Sequence, residues 1–161
     1  MLTIIDLIKD KSIWNQFVDV LNEIDDKLKD NYKIKRLRLD QMICFPVLLK
    51  DGDIVCFSGM QKITDDIYRV ASRYYIRKKY REHFTRAHKN RQTYHWKYVV
   101  PYQLEMAKGK TTIFTTHLCK SDRSFEYLVD EVSKSLGLPV TYVGEQKIFN
   151  VVQKVGLIHG N

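Results

Sequence analysis

Near the start of the chain, Trp14, Phe17, Val18, Leu21, Ile24 and Leu28 recur at three- and four-residue steps, with Asp, Lys, Asn and Glu between them. That spacing predicts an amphipathic helix over 6–31, broken near Asp10 to Ser12 and stopped at Asp30 and Asn31. Residues 32–40 are basic and weakly alternating, which suits a connector or a short edge strand. From 41 to 50 the pattern becomes a continuous apolar run, a strand with Pro46 at a bend or edge. Asp51-Gly52 tolerates positive φ and predicts a tight hairpin into a second strand over 54–63. Another turn at Thr64-Asp65-Asp66 leads to a third strand over 67–76, completing an antiparallel meander.

Farther along, Tyr94, Tyr98, Tyr102 and Met106 stand four apart, with Trp96, Val99 and Leu104 widening the apolar face. This predicts a helix over 92–108 ended by Gly109. Pro101 inside it implies a kink or a restart, because an interior proline costs about 3 kcal/mol. Residues 111–118 are β-branched and short, as a buried strand should be. A strand, a helix and a strand in sequence imply a crossover that sets 111–118 parallel to 67–76. Ser121 or Asp122 can then cap a helix carrying Phe125, Leu128, Val129, Val132 and Leu136 on one stripe, with Gly137 and Pro139 as its stop. Two short strands, 140–143 and 148–152, close the chain.

Length and composition bound this picture. With 161 residues, 44% hydrophobic and 29% charged, the chain reads as one domain over 1–161 with a core of its own. Cys44, Cys56 and Cys119 show neither paired spacing nor disulfide density, and point to a reducing, cytoplasmic setting. The N-terminal stretch is too short and too charged for a signal peptide or a membrane span. No Cys/His cluster has metal-ligand spacing, and no Walker or Gly-x-Ser-x-Gly loop is present. The net charge is +8, and most of it is local. Between Arg77 and Arg91 lie seven Lys/Arg (Arg77, Lys78, Lys79, Arg81, Arg86, Lys89, Arg91) against the single acid Glu82. Positive charge between a strand and a helix suits a phosphate-bearing ligand. It also suits a nucleic-acid backbone, and the simplest alternative is a solvated basic loop.

The predicted order, a helix, a meander, a crossover helix, a parallel strand, a helix and a strand pair, resembles the GNAT acyltransferase superfamily over nearly the whole chain. One local echo supports it: SRYYIRKKYR at 72–81 is similar to the GNAT segment in which a strand ends in an extended dipeptide followed by a Tyr-Arg pair. The resemblance implies an α+β fold with a GNAT-like mixed sheet and helices on both faces. It implies acetyl-CoA as cosubstrate and an amine as acceptor, with the acyl-CoA arm against the end of the strand 67–76. Tyr75 and Ile76 would then face the thioester, and Arg77, Arg81, Arg86, Lys89 and Arg91 would hold the phosphates.

Two departures follow. The family's pyrophosphate loop is glycine-rich, whereas 82–88 here contains no glycine, so Arg and Lys side chains must do part of that work. Ser133 stands where the family often has a tyrosine acid.

Three residues are candidates for the chemistry. His117, at the end of the strand 111–118, could take a proton from an amine, or simply be an exposed strand-end histidine. Tyr127 could substitute as acid. Arg73 shares a strand face with Arg69, and such arginines need anionic partners, either protein carboxylates or a bound anion. The aromatics Tyr94, Trp96, Tyr98 and Tyr102 suit a core, and could stack on bases if the partner were nucleic acid.

Overall fold

The computed structural model describes residues 1–24, 38–81, 94–115, 123–148 and 151–160. The chain opens as a strand, β1 (Leu2–Asp6), which pairs antiparallel with β3 (Pro46–Lys50) at Ile4↔Leu48 and its neighbours. This corrects the helix expected from Asp6 onward. The helix α1 is Trp14–Asn22, and it buries Phe17, Val20 and Leu21. Leu28 and the expected stop at Asp30 and Asn31 lie outside the described residues.

The apolar run at 41–50 divides at Phe45. β2 (Met42–Cys44) and β3 both pair with β4 (Asp53–Lys62), and β3 alone reaches β1. Asp51 and Gly52 have φ of 51° and 83°, the paired positive values of a primed hairpin turn. The Thr64 hydroxyl accepts from the amides of Asp66 and Ile67, closing the next turn into β5 (Ile67–Ile76). A single short helix, α2 (Lys78–Arg81), follows.

The crossover helix is continuous through Pro101, in two parts. His95–Val99 is wound as a π turn, and Val100–Met106 (α3) is α-helical with the proline in its first turn. A proline removes one amide donor and crowds the carbonyl four residues back, and a widened turn just ahead of it accommodates both. β6 (Thr111–Thr115), α4 (Arg123–Leu136), β7 (Val140–Ile148) and β8 (Val151–His159) complete the chain. The last two strands are longer than the sequence suggested. Gly144 does not turn the chain: it sits at a bulge with φ of 91°, where the β7–β8 register shifts between Tyr142 and Gly144.

The sheet order is β1-β3-β4-β5-β6-β8-β7, with β2 on β4. Among the described residues only β5–β6 is parallel. α1 covers one face, packing Phe17, Val20 and Leu21 on Phe45, Val47, Leu49, Phe57 and Tyr75. α3 and α4 cover the other, where Val100, Leu104, Phe125, Val129 and Val132 meet Met60, Val70, Phe114 and Ile158. Cys44 and Cys56 are buried thiols, and burial above all pushes Cys44 up to about 12. Among the described residues, no helix is long and apolar enough to cross a membrane, and no His/Cys/Asp/Glu group could hold a metal ion.

Candidate functional site

The site begins with a mismatch between β4 and β5. From Phe57↔Tyr75 to Gly59↔Ser72, β4 advances from 57 to 59 while β5 goes from 75 to 72. From there to Gln61↔Arg69, β4 again takes one residue fewer. β5 therefore carries two bulges in close succession, and bulges bend a strand and increase its local twist. On its other side β5 pairs with β6 at Ile67↔Thr111, Tyr68↔Thr112 and Arg69↔Ile113, and at no later position among the described residues. Phe114 and Thr115 continue β6 but pair with Gly156 and Val155 of β8. The β5–β6 pairing found among the described residues thus ends where the bulges begin, and beyond it the two strands follow different neighbours, β5 on β4 and β6 on β8. Arg69 stands at the fork, its Nη2 donating to Thr115 Oγ1 at 3.3 Å.

A cleft of about 400 Å³ lies between the crossover helix and α4. Trp96, Lys97 and Pro101 form one wall, and Tyr127, Leu128 and Glu131 form much of the other. Trp96 also stacks on Phe114 with ring centroids 5.3 Å apart, which ties this wall to β6 beside the fork.

The wall formed by the π turn is anchored from beneath. His95, Ser58 and Gln103 are fully buried. Ser58 Oγ lies 2.8 Å from His95 Nε2, and the Gln103 amide donates to Ser58 Oγ at 3.0 Å and to its carbonyl at 3.2 Å. The His95 ring also lies 4.2 Å from that of Tyr74, between the paired positions that flank the second bulge. Sequence reasoning missed this cluster. Its only trace was a histidine and a glutamine on the apolar face of an aromatic helix.

The expected site residues separate into groups. Tyr75 is buried on the α1 face, 5.8 Å from Phe57, and Ile76 is buried on the opposite face. Neither side chain lines the cleft; what β5 offers to the gap here is backbone. Tyr127 does line it. The backbone of Arg73 lies in the bulged part of β5 and that of Arg81 ends α2, while their side chains lie outside the described set. His117, Arg86, Lys89 and Arg91 also fall outside the described residues.

Arg77 requires a correction. Its guanidinium donates to both Glu23 oxygens at 3.0 and 2.7 Å, to Asp53 at 2.8 Å and to the Ile54 carbonyl at 3.0 Å. An arginine so engaged ties the end of α1 to the start of β4, and is not available to a phosphate. Lys79 and the Tyr80 hydroxyl converge on the same Asp53. Burial alone would raise the Asp53 carboxyl, but hydrogen bonds from Lys79, Tyr80 and Arg77 outweigh it and hold it at about 2.

Three tyrosine hydroxyls are held protonated. Burial and then Asp6 push Tyr102 up to about 12, burial and then Asp53 push Tyr80 up to about 12, and burial and then Asp130 raise Tyr142. Ser133 is buried and donates to the Asp130 carbonyl at 2.9 Å. It is turned onto the backbone of its own helix and does not line the cleft.

This arrangement of sheet and helices is the GNAT fold. Solved structures superpose on the chain over nearly its full length. Aminoglycoside 6'-acetyltransferase type Ii does so with a TM-score of 0.58 and 14% identity, over 99% of this chain and 96% of that one. An N-acetyltransferase from Staphylococcus aureus Mu50 gives 0.56 and 10%, over 99% and 97%. A GNAT-family acetyltransferase from Streptococcus pneumoniae gives 0.51 and 13%, over 99% and 100%. No protein-family profile and no curated protein matches the sequence.

Proposed function

We propose that the chain is an N-acyltransferase that moves an acetyl group from acetyl-CoA to an amine. The observation that carries this reading is the fork, where the β5–β6 pairing found among the described residues ends at Arg69↔Ile113 while β6 continues on β8. Backbone N–H and C=O groups inside a sheet need partners, and an extended, amide-bearing arm is what a strand edge accepts. The cleft between the crossover helix and α4 is large enough for part of a nucleotide-linked ligand. The structures that share the fold are described as acetyltransferases, and one acts on an aminoglycoside, an amine-rich acceptor.

Acetyl-CoA supplies the activated thioester. The chain supplies the rest. β5 aligns the arm through its backbone, and an N–H near Tyr75 and Ile76 meets the oxygen that gains charge as the amine attacks. Arg81, Arg86, Lys89 and Arg91 hold the phosphates by charge-assisted hydrogen bonds, replacing the missing glycine-lined loop. His117 accepts the amine proton and Tyr127 returns one to the leaving thiol, with Arg73 holding an anionic group of the ligand. Most of the acceleration comes from positioning.

Thermal-shift titration with acetyl-CoA, paired with a free-thiol assay over a panel of amines, tests this. The expected result is stabilisation that Arg81→Ala and Arg86→Ala weaken, and thiol release that depends on the amine. Stabilisation by a short single-stranded DNA with a steep salt slope, and none by acetyl-CoA, would overturn it in favour of nucleic-acid binding through 77–91.

A further inference from the structure

His95 is a fully buried, titratable side chain that the proposed acyl transfer does not use. It sits at the second bulge of β5. Between Phe57↔Tyr75 and Gly59↔Ser72, the single β4 residue Ser58 stands against the backbone of Arg73 and Tyr74. His95 touches both sides of that mismatch: its Nε2 lies 2.8 Å from Ser58 Oγ, and its ring lies 4.2 Å from that of Tyr74. A bulge leaves ladder groups to find partners off the ladder. Gln103 supplies one, its amide donating to the Ser58 carbonyl at 3.2 Å.

The hydrogen bonds fix the protonation of this cluster. The Gln103 nitrogen that donates to the Ser58 carbonyl also donates to Ser58 Oγ at 3.0 Å, so Oγ accepts there. A serine hydroxyl has one proton to give, and among the described residues its other partner is His95 Nε2. The proton therefore points at Nε2, and the imidazole is neutral with its own proton on Nδ1. Donation runs in one direction, from Gln103 to Ser58 to His95, and ties α3, β4 and the π turn at one point. Burial strengthens such a chain, and removing one member strands the others.

Resting on the acyl-transfer reading, we propose that His95 is a positioning residue for that reaction, holding the second bulge of β5 in the shape that presents its backbone to the thioester. The N–H near Tyr75 and Ile76 assigned to the developing oxyanion directly follows this bulge along β5. Moving the bulge moves that donor, and a misplacement of about 1 Å can cost about a hundredfold in rate. His95 is fully buried and does not touch substrate; it acts through Ser58 on one side and Tyr74 on the other. The donor's binding contacts lie on other residues, so the effect belongs in kcat and not in KM.

The experiment compares the full chain with Ser58→Ala, His95→Phe, His95→Gln and the double variant Ser58→Ala/His95→Phe, each checked for folding by far-UV circular dichroism. His95→Phe keeps a ring against Tyr74 and removes the acceptor, whereas His95→Gln returns an amide oxygen to the Ser58 hydroxyl. In two-dimensional amide NMR, Ser58→Ala and His95→Phe are expected to shift the resonances of 72–76 while those of β1 and β7 stay in place. With the amine that gives the most thiol release, both are expected to lower kcat by about ten- to a hundredfold and to leave the KM for acetyl-CoA unchanged. The double variant is expected to lose no more than either single one, because the two residues act through one bond, and His95→Gln to recover most of the loss. A wild type that transfers acetyl to an amine, beside folded variants that keep kcat or change KM alone, overturns this inference and leaves the acyl-transfer reading standing. Losses that multiply in the double variant do the same. A wild type that transfers acetyl to none of the amines overturns both.

Discussion

Arg77 shows how a residue's role is decided by what the fold brings to it. In the sequence it heads a basic run and invites a phosphate, yet it meets Glu23 across 54 positions and Asp53 across 24. No pattern within 77–91 signals either partner. Removing it leaves two partly exposed carboxylates without their guanidinium, so Arg77→Ala is expected to cost about 1 kcal/mol, measured by urea unfolding. The affinity for acetyl-CoA of the protein that remains folded is expected to be unchanged. Asp53 makes the same corner sensitive to acid. Its carboxyl sits at about 2 in the folded chain, below the ordinary 3.8. Its contribution is therefore complete above the ordinary value and is lost as pH falls from there through about 2. Asp53→Asn is expected to flatten the stability profile over that acid range in a pH series of urea melts, and to lower stability at neutral pH.

Among the elements, those specified by local chemistry were legible in the sequence. The Asp51-Gly52 turn, the β4–β5 hairpin, the stripe on α4 and the short β-branched β6 follow from turn residues and periodicity. β1 was not legible, because Ile4, Ile5, Leu7 and Ile8 read as well at helical spacing as in a strand, and pairing with the distant β3 decides the matter. The bounds of β7 and β8 were not legible: the expected strands 140–143 and 148–152 leave 144–147 outside both, whereas β7 continues through a bulge at Gly144 to Ile148 and β8 begins at Val151. The parallel neighbour of β5 was anticipated from the order of elements, whereas the two bulges that separate it from β6 have no sequence signature. The π turn depends on the buried Ser58–His95–Gln103 cluster. Ser58→Ala leaves the Gln103 amide and the His95 ring short of a partner, and is expected to cost about 1–3 kcal/mol by chemical denaturation.

At the scale of the molecule, a meander, a crossover and a closing hairpin make one mixed sheet whose interior is open at a single place, between β5 and β6 among the described residues. β5 leads directly into the basic stretch that begins at Arg77. The account rests on the β5 edge receiving an extended acyl-CoA arm. Hydrogen–deuterium exchange resolved to β5 and β6, with and without acetyl-CoA, tests it most directly. The account predicts that the amides of 70–76 that do not bond β4 gain protection at saturating acetyl-CoA, while those of β1 and β3 stay unchanged. Acetyl-CoA that binds and leaves those amides exchanging as before would contradict it.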